Sequence, residues 1–156
     1  AQSIPEAIPA RGTVQVAFTP WDNAEGMIVD AIGRARSEIL VQAYGFTSRT
    51  IADALISAHR RGVRVRMLAD REQTFSGDNS RVPDLASAGV RVALEVRYQS
   101  AHNKVMVIDE TVVVTGSFNF THAAEQHNAE NILVLRSEPL AQAYKSNWQV
   151  HWEHSL

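Results

Sequence analysis

Three observations predict an α/β domain whose mixed, mostly parallel sheet is flanked by helices on both faces. From Val14 to Val96, apolar runs suited to strands alternate with segments of helical periodicity. Further on, two apolar runs are separated only by Asp109 and Glu110, too few residues for a helical crossover, so they must pair antiparallel as a hairpin. The chain has 156 residues and is 45% hydrophobic, which suits one core of ordinary domain size.

Residues 1–12, with Pro5 and Pro9, form an extended lead-in, and residues 13–156 make the single domain. Val14 to Thr19 alternates and is closed by Pro20, as a strand should be. Ala24 to Arg36 places Met27, Ile28, Ala31, Ile32 and Ala35 at helical spacing. Ile39 to Phe46 is a buried strand, Ser48 an N-cap, and Thr50 to Arg61 an amphipathic helix ended by Gly62. A third strand covers Val63 to Ala69, and the polar stretch Arg71 to Asn79 is expected to be a surface loop. Helix Ser80 to Ala88 and strand Val90 to Val96 follow, with parallel pairing expected through this half. Lys104 to Ile108 and Thr111 to Thr115 form the hairpin, Asn131 to Arg136 a further strand, and Pro139 to Trp152 the last helix.

Composition removes several classes of function. No apolar run approaches the roughly 18 residues of a membrane span, and stable membrane association is not expected. The chain has no cysteine, so disulfides, zinc-thiolate sites and thiol nucleophiles are excluded. A net charge of -2 argues against a broad cationic face, while a short local phosphate site stays allowed. Ala1-Gln2-Ser3 is the kind of small polar start left by signal-peptide cleavage, which suggests a periplasmic or secreted protein; a trimmed end in a cytoplasmic one reads equally well.

The chemistry concentrates in AHNKVMVIDE, where His102, Lys104 and Asp109 form HxKxxxxD. Residues two apart on an extended chain face the same way, so His102 and Lys104 set an imidazole beside an ammonium, a place for an anion. Lys104 is one of two lysines and opens an apolar strand, where a cation needs a partner. In Gly116-Ser117-Phe118-Asn119-Phe120-Thr121, Ser117 and Asn119 point one way and the two phenylalanines point into packing, while Gly116 lets backbone approach a ligand. If the hairpin sets the end of its second strand beside the start of its first, four donors converge on one phosphate. Asn119-Phe120-Thr121 is also a glycosylation sequon, set aside because the amide fits better as a ligand group. Other features have ordinary explanations. The pairs His122/His127 and His151/His154 lack a third metal ligand, the basic residues His59, Arg60, Arg61, Arg64 and Arg66 suit a helix end, and Trp148 with Trp152 suits packing.

His102, Lys104 and Asp109 followed by GSFN resemble the signature of the phospholipase D superfamily. GSFNFT with Asn128-Ala129-Glu130-Asn131 is similar to its small bacterial endonucleases. The resemblance implies an α-β-α sandwich and metal-independent phosphodiester hydrolysis with no cofactor. The chain carries one copy of the motif, which implies a homodimer with the active site on its two-fold axis. Within that family pattern the catalytic set is His102, Lys104, Asp109 and Glu130. His102 is the nucleophile, His102 of the partner subunit the acid, and Glu130 the carboxylate that orients His102. Lys104, Ser117 and Asn119 hold the phosphate oxygens. Asp109 is read as a supporting residue, because alternation from Lys104 turns it to the opposite face. The expected substrate is nucleic acid, cut with little sequence preference. A phospholipase acting on lipid headgroups and a silent phosphate-binding module remain alternatives; a metal-dependent nuclease lacks a ligand set.

Overall fold

A computed structural model describes residues 2–156; Ala1, part of the expected processed start, lies outside the described residues. Residues 2–11 carry no regular secondary structure and are exposed. Seven strands follow: β1 (Thr13–Thr19), β2 (Glu38–Ala43), β3 (Arg64–Asp70), β4 (Arg91–Glu95), β5 (Val105–Ile108), β6 (Val112–Gly116) and β7 (Glu130–Arg136). Five helices lie between strands and a sixth follows β7: α1 (Ala24–Gly33), α2 (Arg49–Arg60), α3 (Arg71–Phe75), α4 (Val82–Ser87), α5 (His122–Gln126) and α6 (Glu138–Glu153).

The strands form one sheet in the order β1-β7-β6-β5-β2-β3-β4. The mixed, helix-flanked sheet is as expected, but it is not mostly parallel. Only β2–β3 and β3–β4 run parallel, while β1–β7, β7–β6, β6–β5 and β5–β2 are antiparallel. Strand β1 does not join β2; it pairs along its length with β7 at the far edge. Alternation of strand and helix reports that elements alternate, not which strands become neighbours.

Each face of the sheet has its own core. On one side Ile28, Ile32, Ile51, Leu55 and Leu85 pack with Phe118 and Phe120. On the other, α6 covers Leu40, Leu68, Val105, Val107 and Val113 with Ala141 and Trp148. The Trp148 indole donates to the Val41 carbonyl at 2.9 Å, fixing α6 over the sheet centre. Ser48 caps α2 as expected, accepting from Ile51 N at 3.1 Å. The stretch read as a loop opens with the short helix α3, capped by the Asp70 side chain through Gln73 N. Helix α5 was not expected; Thr121 caps it.

The hairpin turn shows what Asp109 does. Asp109 and Glu110 have φ of 53° and 59°, the left-handed central pair of a turn that Thr111 N closes onto the Ile108 carbonyl at 3.0 Å, with Thr111 the third loop residue before Ile108 and Val112 pair. The Asp109 carboxylate accepts from the backbone N–H of Arg36, Ser37 and Glu38 at 2.8–3.0 Å, and from the Ser37 hydroxyl at 2.9 Å. The tip of the hairpin is thereby tied to the start of β2. Burial opposes the charged form, yet the donors of Ser37, Glu38 and Arg36 outweigh it and hold the Asp109 pKa below the usual carboxylate value.

A depressed folded pKa stabilises above the unfolded pKa and is lost as pH falls through the folded value. Asp109→Asn should therefore cost about 2 kcal/mol in urea unfolding at neutral pH. The gap from wild type should narrow below about pH 4. An unchanged gap across acid pH would show that the carboxylate charge is not what ties the turn.

Candidate active site

Because β5 runs antiparallel to β2, its start lies at the carboxyl ends of β2, β3 and β4. The end of β6 and the start of β7 reach the same edge. His102 and Lys104 precede β5, Ser117 and Asn119 follow β6, and Glu130 opens β7. One edge of the sheet thus gathers five of the six expected residues. Asp109 is the exception: it sits beyond the other end of β5, roughly 16 Å along the strand from Lys104, so its place in a catalytic set is corrected to that of a structural clamp.

Lys104 is only 8% exposed. Its Nζ lies 2.7 Å from His102 Nδ1 and 3.4 Å from Nε2, and its carbonyl accepts from Thr115 Oγ1 at 2.9 Å. Among the described residues it has no carboxylate within ion-pair distance, unlike Lys145, which meets Glu38 at 2.7 Å and also Glu110. Burial lowers the Lys104 pKa, and the more distant negative charge of Glu130 opposes that only in part. A nearly buried ammonium without a counter-ion favours an incoming anion. His102 beside it is exposed.

The GSFNFT loop is pinned from behind. Phe118 and Phe120 are fully buried, Phe120 meets Phe46 edge-on at 6.2 Å, and the Phe120 carbonyl accepts from Thr47 N and Ser48 N at 2.9 Å. Asn119, on the opposite side of the chain, is half-buried, and among the described residues its Oδ1 has no donor. Gly45 gives this loop room: a Cβ there would stand 3.2 Å from Thr121 Cγ2. Gly116 serves a different contact from the one expected. A Cβ on it would lie 2.4 Å from the Asn131 carbonyl oxygen, so its bare backbone accommodates β7, not a ligand.

Two expected roles change. Ser117 Oγ donates to Glu130 Oε1 at 2.6 Å and accepts from Asn131 N at 3.0 Å, so its hydroxyl proton is directed to a carboxylate and not to a phosphate. Glu130 does not hydrogen-bond the His102 of its own chain; it accepts from Ser117 and from Asn128 Nδ2 at 3.2 Å. Sequence reasoning also missed two supports. The Tyr44 ring lies 4.5 Å from the His102 ring, and 5.9 Å from Lys104 Nζ. Beneath the loop, Asn103 donates to Gln42 at 3.4 Å, and Gln42 donates to both oxygens of Glu95, which also contacts His151 Nδ1 at 2.6 Å. The available signal was Gln42 inside an apolar strand, with Tyr44 two residues on.

Among the described residues no three His, Cys, Asp or Glu side chains gather as a metal site. The His122 and His127 rings sit edge to face, 5.6 Å apart, and His151 faces Glu95.

Residues 28–152 match the family described as cardiolipin synthase, PLD-like domain. Phospholipase D of Rickettsia typhi is 41% identical over 149 residues, covering 94% of this chain and 70% of that one. Mitochondrial cardiolipin hydrolase of Xenopus laevis is 38% identical over 128 residues, covering 81% and 60%. The crystal structure of Nuc, a phospholipase D family member from Salmonella typhimurium, superposes with a TM-score of 0.88 at 34% identity, covering 92% and 96%. A nearly buried lysine touching an exposed histidine, on this fold and with these relatives, marks a phosphodiester hydrolase, and the chain belongs to the phospholipase D superfamily.

Proposed function

We propose that the chain is a metal-independent endonuclease, cutting DNA or RNA through a phosphohistidine at a site completed by a second copy. The observation that carries this reading is Lys104: a nearly buried cation with no carboxylate partner among the described residues, touching an exposed imidazole. A phosphodiester supplies the missing anion, and Lys104 and the Asn119 amide hold its non-bridging oxygens. His102 attacks phosphorus; a P–N bond forms, the P–O bond to the leaving group breaks, and His102 of the partner subunit gives its proton to the departing oxygen. That imidazole, now neutral, takes a proton from water. The water oxygen attacks phosphorus, the P–N bond breaks, and His102 is restored. Glu130 lies off its own imidazole, so in this reading it orients His102 of the partner subunit.

The surface supports pairing. Val14, Val16 and Phe18 are 63%, 48% and 50% exposed along one face of β1. In register beside them stand Leu135, Leu133 and Asn131, and Asn131 bonds Ser117 at the site rim. This apolar stripe on the α6 face, beyond the cover of α6, leads directly to a half-site with one imidazole; a second copy covers the first and completes the second.

A second reading, hydrolysis of a phospholipid headgroup, is favoured by the names of the Rickettsia and Xenopus relatives. Among the described residues no helix is long and apolar enough to cross a membrane.

Nuclease activity should survive EDTA, follow a bell-shaped pH profile from two coupled imidazoles, and vanish in His102→Asn while the dimer persists. Complete loss in chelator, or an active His102→Asn, would refute the mechanism. Cleavage of phosphatidylcholine but of no oligonucleotide would select the second reading. Val16→Glu with Phe18→Glu should give a folded monomer by light scattering, with activity reduced on the order of a hundredfold or more; an active monomer would end the shared-site reading.

A further inference from the structure

The carboxyl edge of the sheet continues past the half-site. Beyond Tyr44, at the ends of β3 and β4, lies an open cleft of about 610 Å³ between α3 and residues 96–99. Phe75 on one wall is 68% exposed and Tyr98 on the other is 43% exposed. The carboxylates at its base are already engaged: Asp70 by Gln73 N and Ala101 N, both at 2.9 Å, and Glu95 by Gln42 and His151. Those hydrogen bonds leave the carboxylate charges in place, so Asp70, Glu72 and Glu95 against the single cation Arg71 make the lining net negative, and the cleft offers a ligand its aromatic faces while repelling phosphate. A flat, neutral ring fits that chemistry, and a backbone phosphate does not.

Both walls are tied to the reacting histidine. Gln73 on α3 donates to the Tyr44 hydroxyl at 3.1 Å, and the Tyr44 ring lies against His102. The other wall runs on through Ala101, anchored on Asp70, into His102 itself. Strands β5, β2, β3 and β4 are successive neighbours, which puts the cleft roughly 10–14 Å from the start of β5. At about 3.4 Å per stacked nucleotide that is a few nucleotides along one strand.

We infer that the cleft formed by Phe75 and Tyr98 is a stacking subsite for an unpaired nucleobase on the strand being cut. The inference rests on the nuclease reading and narrows its substrate to single-stranded nucleic acid. The test compares wild type, Phe75→Ala with Tyr98→Ala, and Phe75→Trp with Tyr98→Trp. The substrates are a single-stranded DNA oligonucleotide, an abasic oligonucleotide of the same length, and phosphatidylcholine vesicles. The alanine pair should raise KM for the base-bearing strand on the order of tenfold or more, with kcat little changed and KM for the abasic strand unchanged. The tryptophan pair should keep the wild-type KM. Equal losses on both strands, or none on either, would overturn the subsite. Slower phosphatidylcholine hydrolysis with unaltered oligonucleotide cleavage would also overturn it and give the cleft to a lipid headgroup, whose ammonium an aromatic face also attracts. A wild-type chain that cuts no oligonucleotide would remove the nuclease reading itself, whereas wild-type cleavage with an indifferent alanine pair removes only the subsite.

Discussion

Strand β5 enters the sheet against the direction of β2, and the site depends on that pairing. The parallel strands β2, β3 and β4 point their carboxyl ends to one edge, as crossover connections require. A fourth parallel strand would have carried His102 and Lys104 to the opposite edge. Antiparallel β5 instead starts where the others finish, and its hairpin partner β6 delivers Ser117 and Asn119 to the same place. The Asp109 carboxylate holds this arrangement from the far end, taking three consecutive backbone donors at the start of β2. The aspartate of the motif therefore contributes to the site through strand register, from the opposite end of β5 to Lys104.

Local chemistry made much of this readable in the sequence. Strict alternation placed Phe118 and Phe120 inward and Asn119 away from them, and all three follow it. The Ser48 cap and the Asp109-Glu110 turn follow from side-chain oxygen chemistry and from the left-handed backbone of a short hairpin. Non-local contacts were not readable. Nothing in Val14–Thr19 says that its partner is β7, more than a hundred residues later. Nothing near Ser117 says that its proton goes to Glu130, since two strands must first be in register. Tyr44 carried only the weak mark of standing two residues after Gln42, and nothing local names the imidazole it meets.

The two lysines show how a chain of net charge -2 can still favour an anion at one point. Lys145 is shared between Glu38 and Glu110 and is internally neutralised. Lys104 is withdrawn from water against Tyr44 and His102, with no such neutralisation among the described residues. The attraction for an anion is thus local, set by desolvation of one group and not by summed surface charge.

Gly116 touches neither imidazole nor ammonium, yet its α-hydrogen is all that the Asn131 carbonyl leaves room for. The same carbonyl receives both Ser117 N and Phe118 N, at 3.0 and 3.2 Å, so the chain turns about a single oxygen before presenting Asn119. A methyl group there would move this pivot and carry the Asn119 amide with it. Selection acting only on turnover would thus hold the position as tightly as one that meets substrate, and a mutational scan scored on rate alone would mistake a hinge pin for a reactive group.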